Sequence, residues 1–366
     1  MSSEGEIAVE VRSLSKAYGS VFALNALDMK IKAGEYFVLL GPSGGGKTTL
    51  LRLVGGFIRP TLGNVFLHGK DVTNLPPNLR PTSMVFQSFA LFPHMTVTKN
   101  VSYGLRLRKR PEDEILDRVQ SMLKITGLQG LGDRMPHELS GGQQQRVQLA
   151  RSLVLETKIL LLDEPLAALD ARLRKEMCIE LKRLQEKVGI TFVHVTHNQE
   201  EAMTVADNLA IISDGRLVES GSTIDLYESP GRRFTAEFIG ENNIFDGEVK
   251  SINGEDVQVD LGYGIVSVFR RDKDVLVGDR VSISIRSELI KILDNSRALE
   301  PPIEELGAVY RQTVYLGLIS SGILSLANGG EVVIRDISNN IGFKEVIAGT
   351  KLRVGWSRGD GRLHTN

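Results

Sequence analysis

One eight-residue stretch constrains this chain more than any other: Gly41-Pro42-Ser43-Gly44-Gly45-Gly46-Lys47-Thr48. It follows the apolar run Tyr36 to Leu40 and opens a helical pattern near Thr49, so it reads as strand, loop and helix in the pattern G-x-x-x-x-G-K-[ST]. Glycines let consecutive backbone N–H groups turn toward one anion, and the helix N-terminus adds the positive end of its dipole. Lys47 is placed to reach the β and γ phosphates and Thr48 to offer its hydroxyl to Mg²⁺. Ser43, Gly44, Gly45, Gly46, Lys47, Thr48 and Thr49 are therefore the residues expected to hold ATP with Mg²⁺.

A chain of 366 residues exceeds the usual single-domain size, so two domains are expected, one the larger. The formal charge is -1, with acids and bases mixed along the chain, which leaves no electrostatic footprint for nucleic acid or anionic lipid. A single cysteine, Cys178, excludes an internal disulfide and fits a reducing compartment; beside the apolar face of a helix it reads as a small buried hydrophobe. Met1 to Glu10 is polar and acidic, without the apolar centre of a signal peptide, and nowhere do about 18 apolar residues run together. The expectation is a chain that does not cross a membrane.

From Met1 to about Gly240, short apolar runs alternate with stretches of helical period, the texture of an α/β domain on a central sheet. Tyr36 to Leu40, Ile159 to Leu162 and Ile190 to Val195 are strand candidates. Leu173, Met177, Leu181, Leu184 and Val188 mark one face of a sheet-packing helix. Asp214-Gly215 reads as a tight hairpin turn, and a short helical segment lies around Phe234 to Ile239. From about Asn243 the texture changes to short alternating strands, clearest where Ser282 and Ser284 separate Val281, Ile283 and Ile285. The domains are thus 1–240, α/β, and 241–366, all-β and smaller.

Ile159 to Leu162 ends in Asp163-Glu164, two acids at the carboxyl edge of the sheet, where open α/β sheets bind ligands. This is a Walker-B pattern: Asp163 is expected in the Mg²⁺ shell, and Glu164 to orient or deprotonate the attacking water. Further along, Leu139-Ser140-Gly141-Gly142-Gln143 precedes a helical pattern through Val147, Ala150 and Val154. That makes a second helix N-terminus suited to an anion, or equally a serine N-cap with ordinary glycines.

Together these segments resemble the ABC ATPases, with Leu139 to Gln143 as the family's signature and the remaining motifs in the family's order. The resemblance implies a P-loop ABC ATPase domain with a helical subdomain at about 88–155, followed by a β-rich, OB- or TOBE-like regulatory and dimerisation domain. It implies that Tyr18 stacks on adenine, that Gln87 senses Mg²⁺ and the γ phosphate, that Ala168-Leu169-Asp170 is the D-loop, and that His197 contacts the γ phosphate. Read singly, Tyr18 also fits a surface aromatic, Gln87 a loop amide, Asp170 a helix N-cap and His197 a strand-end histidine. His94 and His194 have no such context and are taken as structural.

In this family the signature of one subunit completes the ATP site of another, so the resemblance implies a head-to-tail homodimer with Ser140, Gly141, Gly142 and Gln143 facing a partner's nucleotide. Phe86 to Val97 resembles the segment by which importer ATPases receive the coupling helices of their membrane subunits. The tail from Phe238 to Phe245 onward resembles that of bacterial importer ATPases, most closely the polyamine type. Two membrane-spanning permease subunits, indirectly a periplasmic or surface solute-binding protein, and a place on the cytoplasmic face of the cell membrane follow from that resemblance.

Three positions depart from the family pattern: Gly45 where cysteine is common, Asn198 where aspartate is common, and Ser287 where proline is usual. An importer for a sugar, iron or an anion stays open, as do an exporter component and an ATP-sensing regulator, although Glu164 and His197 argue for hydrolysis. A DNA-repair ATPase needs a long coiled coil between phosphate loop and signature, but only about 90 residues separate Thr48 from Leu139, without sustained heptads.

Overall fold

All five residues of the strand Tyr36–Leu40 are buried, because the strand pairs in parallel on both edges, with Thr191–Thr196 and with Asn208–Ser213. A strand covered on both faces has no polar side to show, which is why it reads as a continuous apolar run. The sheet grows outward through Ile159–Asp163 and Thr82–Val85 on one side and through Arg216–Ser222 on the other, six strands in all. The last pairing is the antiparallel hairpin expected at Asp214-Gly215, both of which have positive φ, as a two-residue turn of this kind requires.

In this computed structural model, residues 5–87, 90–269, 274–293, 303–337 and 346–365 are described. They fall into two compact units, Met1–Thr223 and Ile224–Asn366. The sequence texture puts the change near Gly240, whereas the short helix Arg233–Phe238 groups with the β-rich unit. Arg233 pairs there with Asp246 and reaches Ser282 Oγ at 2.8 Å.

In the first unit, a four-stranded antiparallel sheet of Val21–Lys32, Ile7–Tyr18, Leu62–Leu67 and Lys70–Asp71 contributes Val9, Val11, Leu14 and Ile31 to one core. The helix Lys47–Gly55 adds Leu50, Leu51 and Val54, and the parallel sheet adds Leu39, Leu161 and Val193. The helices Val97–Leu107, Glu112–Ile125 and Gly141–Leu153 have a separate core around Val101, Leu105, Val119 and Val147. Ala171–Val188 buries Met177 and Leu181 of its expected apolar face, with Leu173, Leu184 and Val188 half-buried, and it buries Cys178 beside them, which pushes that thiol up to about 12. Among the described residues no helix is long and apolar enough to cross a membrane.

Among the described residues, the second unit holds two five-stranded antiparallel sheets. Their shared core includes Phe245 and Trp356, stacked 5.7 Å apart. Strand Arg280–Arg286 is the alternating strand read from the sequence. Alternation often marks one wet face, but here Ser282 and Ser284 are buried like the apolar residues between them. Ser282 Oγ hydrogen-bonds Asp246 at 2.6 Å and Ser284 Oγ lies 2.7 Å from His364 Nε2, so the serine face is closed by polar partners. Ser287, also buried, donates its N–H to the Glu241 carbonyl at 3.1 Å, a bond that proline could not make.

Candidate functional site

The phosphate loop leaves Leu40 and turns directly into the helix Lys47–Gly55, which starts two residues earlier than its sequence pattern. The turn leaves no space for side chains at three of its glycines. A Cβ on Gly41 would lie 2.0 Å from the Ile212 carbonyl oxygen, and one on Gly46, where φ is 102°, would lie 2.5 Å from that of Ala23. Gly45, which departs from the family's cysteine, sits under the same roof, with a Cβ position 2.8 Å from Ile212 O. Its carbonyl accepts from Gly215 N at 3.1 Å, so the hairpin turn braces the loop.

Lys47 is buried and donates from Nζ to the Gly41 and Pro42 carbonyls at 2.9 and 2.8 Å. Burial lowers its pKa, and the charges of Glu164 and Asp163 oppose that shift. Thr48 donates its hydroxyl to Asp163 Oδ1 at 2.9 Å, and Arg52 Nη2 stands 3.9 Å from Asp163 Oδ2. Asp163 is itself buried; desolvation raises its pKa while the Thr48 hydrogen bond and Arg52 lower it. Thr49 follows on the first turn, half-buried, while Ser43 and Gly44 are exposed at the tip.

Glu164 stands one residue beyond the strand, with φ 46°, an uncommon setting for a residue with a side chain. Its N–H donates to the Val195 carbonyl at 3.0 Å, which ties it to the neighbouring strand. One carboxylate oxygen lies 3.3 Å from His197 Nδ1 and the other accepts from Gln87 Nε2 at 3.4 Å. Residues separated by 77 and 33 positions from Glu164 thus converge on one carboxylate beside the Thr48–Asp163 pair.

Ser140 and Gln143 close a capping box at the start of Gly141–Leu153: Gln143 N donates to Ser140 Oγ at 3.3 Å and Ser140 N to Gln143 Oε1 at 2.9 Å. Ser140 is exposed, and the Gly141 and Gly142 Cβ positions face Leu169 and Leu173, on either side of Asp170. Asp170 N-caps Ala171–Val188 through Leu173 N at 2.9 Å. Tyr18 is 55% exposed at the end of the hairpin whose other strand carries Ala23 and Leu24 against Gly46, with the Lys16 ammonium 5.0 Å over its ring.

In the segment from Phe86 to Val97, Ser88 and Phe89 lie outside the described residues. Phe92 is half-buried against Tyr103 at 4.6 Å under the Arg151 guanidinium, with its backbone held on both sides by Asn100. His94 is exposed, and His194 is fully buried with Nδ1 3.0 Å from the Tyr36 hydroxyl. Sequence reasoning missed Glu201 and Arg174, both packed behind His197. The spacing Asn198-x-x-Glu201 at a helix start was the available signal.

Phosphate-binding backbone at a helix start, with acids at the carboxyl ends of parallel strands, defines a P-loop ATPase fold. The comparisons narrow it. A family model described as ABC transporter matches residues 24–167. The spermidine/putrescine import ATP-binding protein PotA of Roseobacter denitrificans is 44% identical over 93% of this chain and 93% of its own length. The protein of that name from Thermotoga maritima is 43% identical over 84% of each.

Among solved structures, cbiO1 from Clostridium perfringens, part of the ABC transporter complex cbiONQ, matches with TM-score 0.58 and 35% identity, covering 60% of this chain and 90% of that one. The cassette MJ0796, a dimer in a post-hydrolysis state bound to ADP and Pi, matches with TM-score 0.52 and 32% identity over 59% of this chain and 98% of that one. This chain belongs to the ATP-binding subunits of ABC transporters. It is an importer-type ATPase.

Proposed function

We propose that this chain powers uptake of a polyamine of the spermidine/putrescine class, hydrolysing ATP between two copies of itself docked on membrane-spanning permease subunits. The observation that carries the hydrolytic part is the convergence of His197 and Gln87 on the Glu164 carboxylate beside Thr48 and Asp163. The polyamine assignment is supported by relatives of that name matching 93% and 84% of the chain.

In the working cycle the Lys47 ammonium, now bonded to the carbonyls of its own loop, transfers donors to the β and γ phosphate oxygens. Ser43 to Gly46 present backbone N–H groups to the same phosphates, Thr49 lies at the helix start beside them, and the Tyr18 ring covers the adenine. The Thr48 hydroxyl and the Asp163 carboxylate are adjacent oxygen donors suited to Mg²⁺, with the remaining positions left to phosphate and water. Bound there, Mg²⁺ neutralises charge developing on the phosphates. Glu164 holds the attacking water and takes its proton, His197 orients Glu164 and donates toward the γ phosphate, and Gln87 fixes the other carboxylate oxygen. Ser140, exposed here, and the helix start through Gln143 close over the partner's nucleotide, and Asp170 lies at that seam.

The assignment is tested by purifying the chain with its permease partners in proteoliposomes and measuring ATPase activity with solute-binding protein added. Stimulation by binding protein loaded with spermidine or putrescine is the expected result. Stimulation by a sugar-loaded binding protein, and none by polyamine, overturns the substrate assignment.

A further inference from the structure

His197 is flanked by two residues that both bond to Glu201. Thr196, before it, donates its hydroxyl to Glu201 Oε2 at 2.7 Å, and Asn198, after it, accepts from the Glu201 N–H at 3.0 Å. Thr196 Oγ1 also accepts from Asn198 N at 3.0 Å, so a small ring of bonds encloses the histidine turn from behind. In an ordinary capping box the acid at the third helical position reaches back to the N-cap N–H. Here Thr196 takes that N–H, which leaves the other Glu201 oxygen free to face Arg174, at 3.3 Å. Arg174 in turn donates to the Leu169 carbonyl at 2.8 Å, one residue before Asp170. Glu201 is buried at 5% exposure, with the imidazole of His194 on the strand before the turn 3.8 Å from Oε2, so it links the histidine turn to Arg174 and through it to Leu169.

We infer that Glu201, braced by Arg174, is a positioning residue for hydrolysis: it sets the His197 imidazole against the Glu164 carboxylate and ties that setting to the Leu169–Asp170 segment. This rests on the proposed role of His197. Hydrogen bonds to the residues on both sides of His197 fix the backbone that carries its imidazole, and misplacement by about 1 Å costs up to a hundredfold in rate. A displacement of Leu169 or Asp170 by a second subunit would reach His197 through Arg174 and Glu201, without passing through the phosphate loop.

The test is steady-state ATP hydrolysis by the full chain, with binding of the fluorescent analogue TNP-ATP and thermal unfolding measured on each variant. Glu201→Gln keeps the shape and loses the ion pair, and a roughly three- to tenfold fall in kcat with KM unchanged is expected. Glu201→Ala should lose roughly ten- to hundredfold, again with TNP-ATP affinity retained. The diagnostic readout is the pair Glu201→Ala/His197→Ala: its kcat should match that of His197→Ala alone, because Glu201 acts through His197. If Glu201→Ala does not fold, Glu201→Gln and Glu201→Gln/His197→Ala carry the same comparison. Wild-type kcat in both glutamate variants, alongside a crippled His197→Ala, overturns the inference and leaves the ATPase assignment standing. Multiplicative losses in the double variant also overturn it. Wild-type kcat in His197→Ala removes its premise and the role of His197 together.

Discussion

Glu164 holds a backbone setting that costs a side-chain-bearing residue on the order of 1 kcal/mol, and the Val195 carbonyl keeps it there. Strain at that point aims the carboxylate away from the sheet, between His197 and Gln87, where Asp163 one residue earlier points to Thr48. Glu164→Gln has the same backbone needs, so it should fold and bind ATP normally while turnover falls by roughly a hundredfold or more. TNP-ATP titration and phosphate release measure the two halves of that statement. Lys47→Ala removes the buried ammonium from the loop and should abolish ATPase activity; wild-type turnover would refute the phosphate-loop assignment.

His194 has a different job. Burial holds its imidazole down at about 3, against 6.5 for an exposed histidine, so the folded chain keeps it neutral while the unfolded chain protonates it. The unfolded state therefore binds more protons below 6.5, and this group removes stability as pH falls from 6.5 toward 3, by on the order of 1.4 kcal/mol per pH unit. Denaturant midpoints compared between pH 7 and pH 5 should fall less for His194→Gln, whose amide still serves the Tyr36 hydroxyl, than for wild type.

Elements matter here chiefly for what they present at their ends. Ile159–Asp163 is buried throughout, so the register that packs Leu161 in the core also fixes Asp163 at the sheet edge. The helix Lys47–Gly55 starts at a glycine because any larger residue at Gly46 meets the strand Val21–Lys32. Gly46→Ala should accordingly spread the loop from that strand and weaken TNP-ATP binding by tenfold or more, a loss that fluorescence titration reads directly. Asp170→Ala removes the N-cap of Ala171–Val188 and should cost about 1 kcal/mol of stability, seen as a lowered unfolding midpoint.

The strands and helices of the first unit were legible because their periods differ sharply and their boundaries carry turn residues. Asp214-Gly215 is the clearest case. The serine face of Arg280–Arg286 was not legible, since alternation looks the same whether the polar side meets water or Arg233, Asp246 and His364. The helix Arg233–Phe238 was visible as a helix, but nothing in six residues says which unit their contacts favour.

At the scale of the molecule, the exposed Ser140 and the Glu164 site set an expectation about assembly that a single chain does not satisfy. Glu164→Gln loaded with ATP should elute at dimer mass in size-exclusion chromatography with light scattering, and wild type without nucleotide at monomer mass. A monomer in both would sink the shared-site proposal. The sequence by itself made legible the phosphate-loop pattern, the Asp163-Glu164 pair and the signature-like run, because each is a contiguous run whose residue types carry the pattern. Only the tertiary structure decided that Gln87 and His197 share the Glu164 carboxylate, that Gly215 braces Gly45, and that Glu201 and Arg174 stand behind the histidine. Those contacts join segments far apart along the chain, and the packing that brings them together depends on side chains of many elements at once.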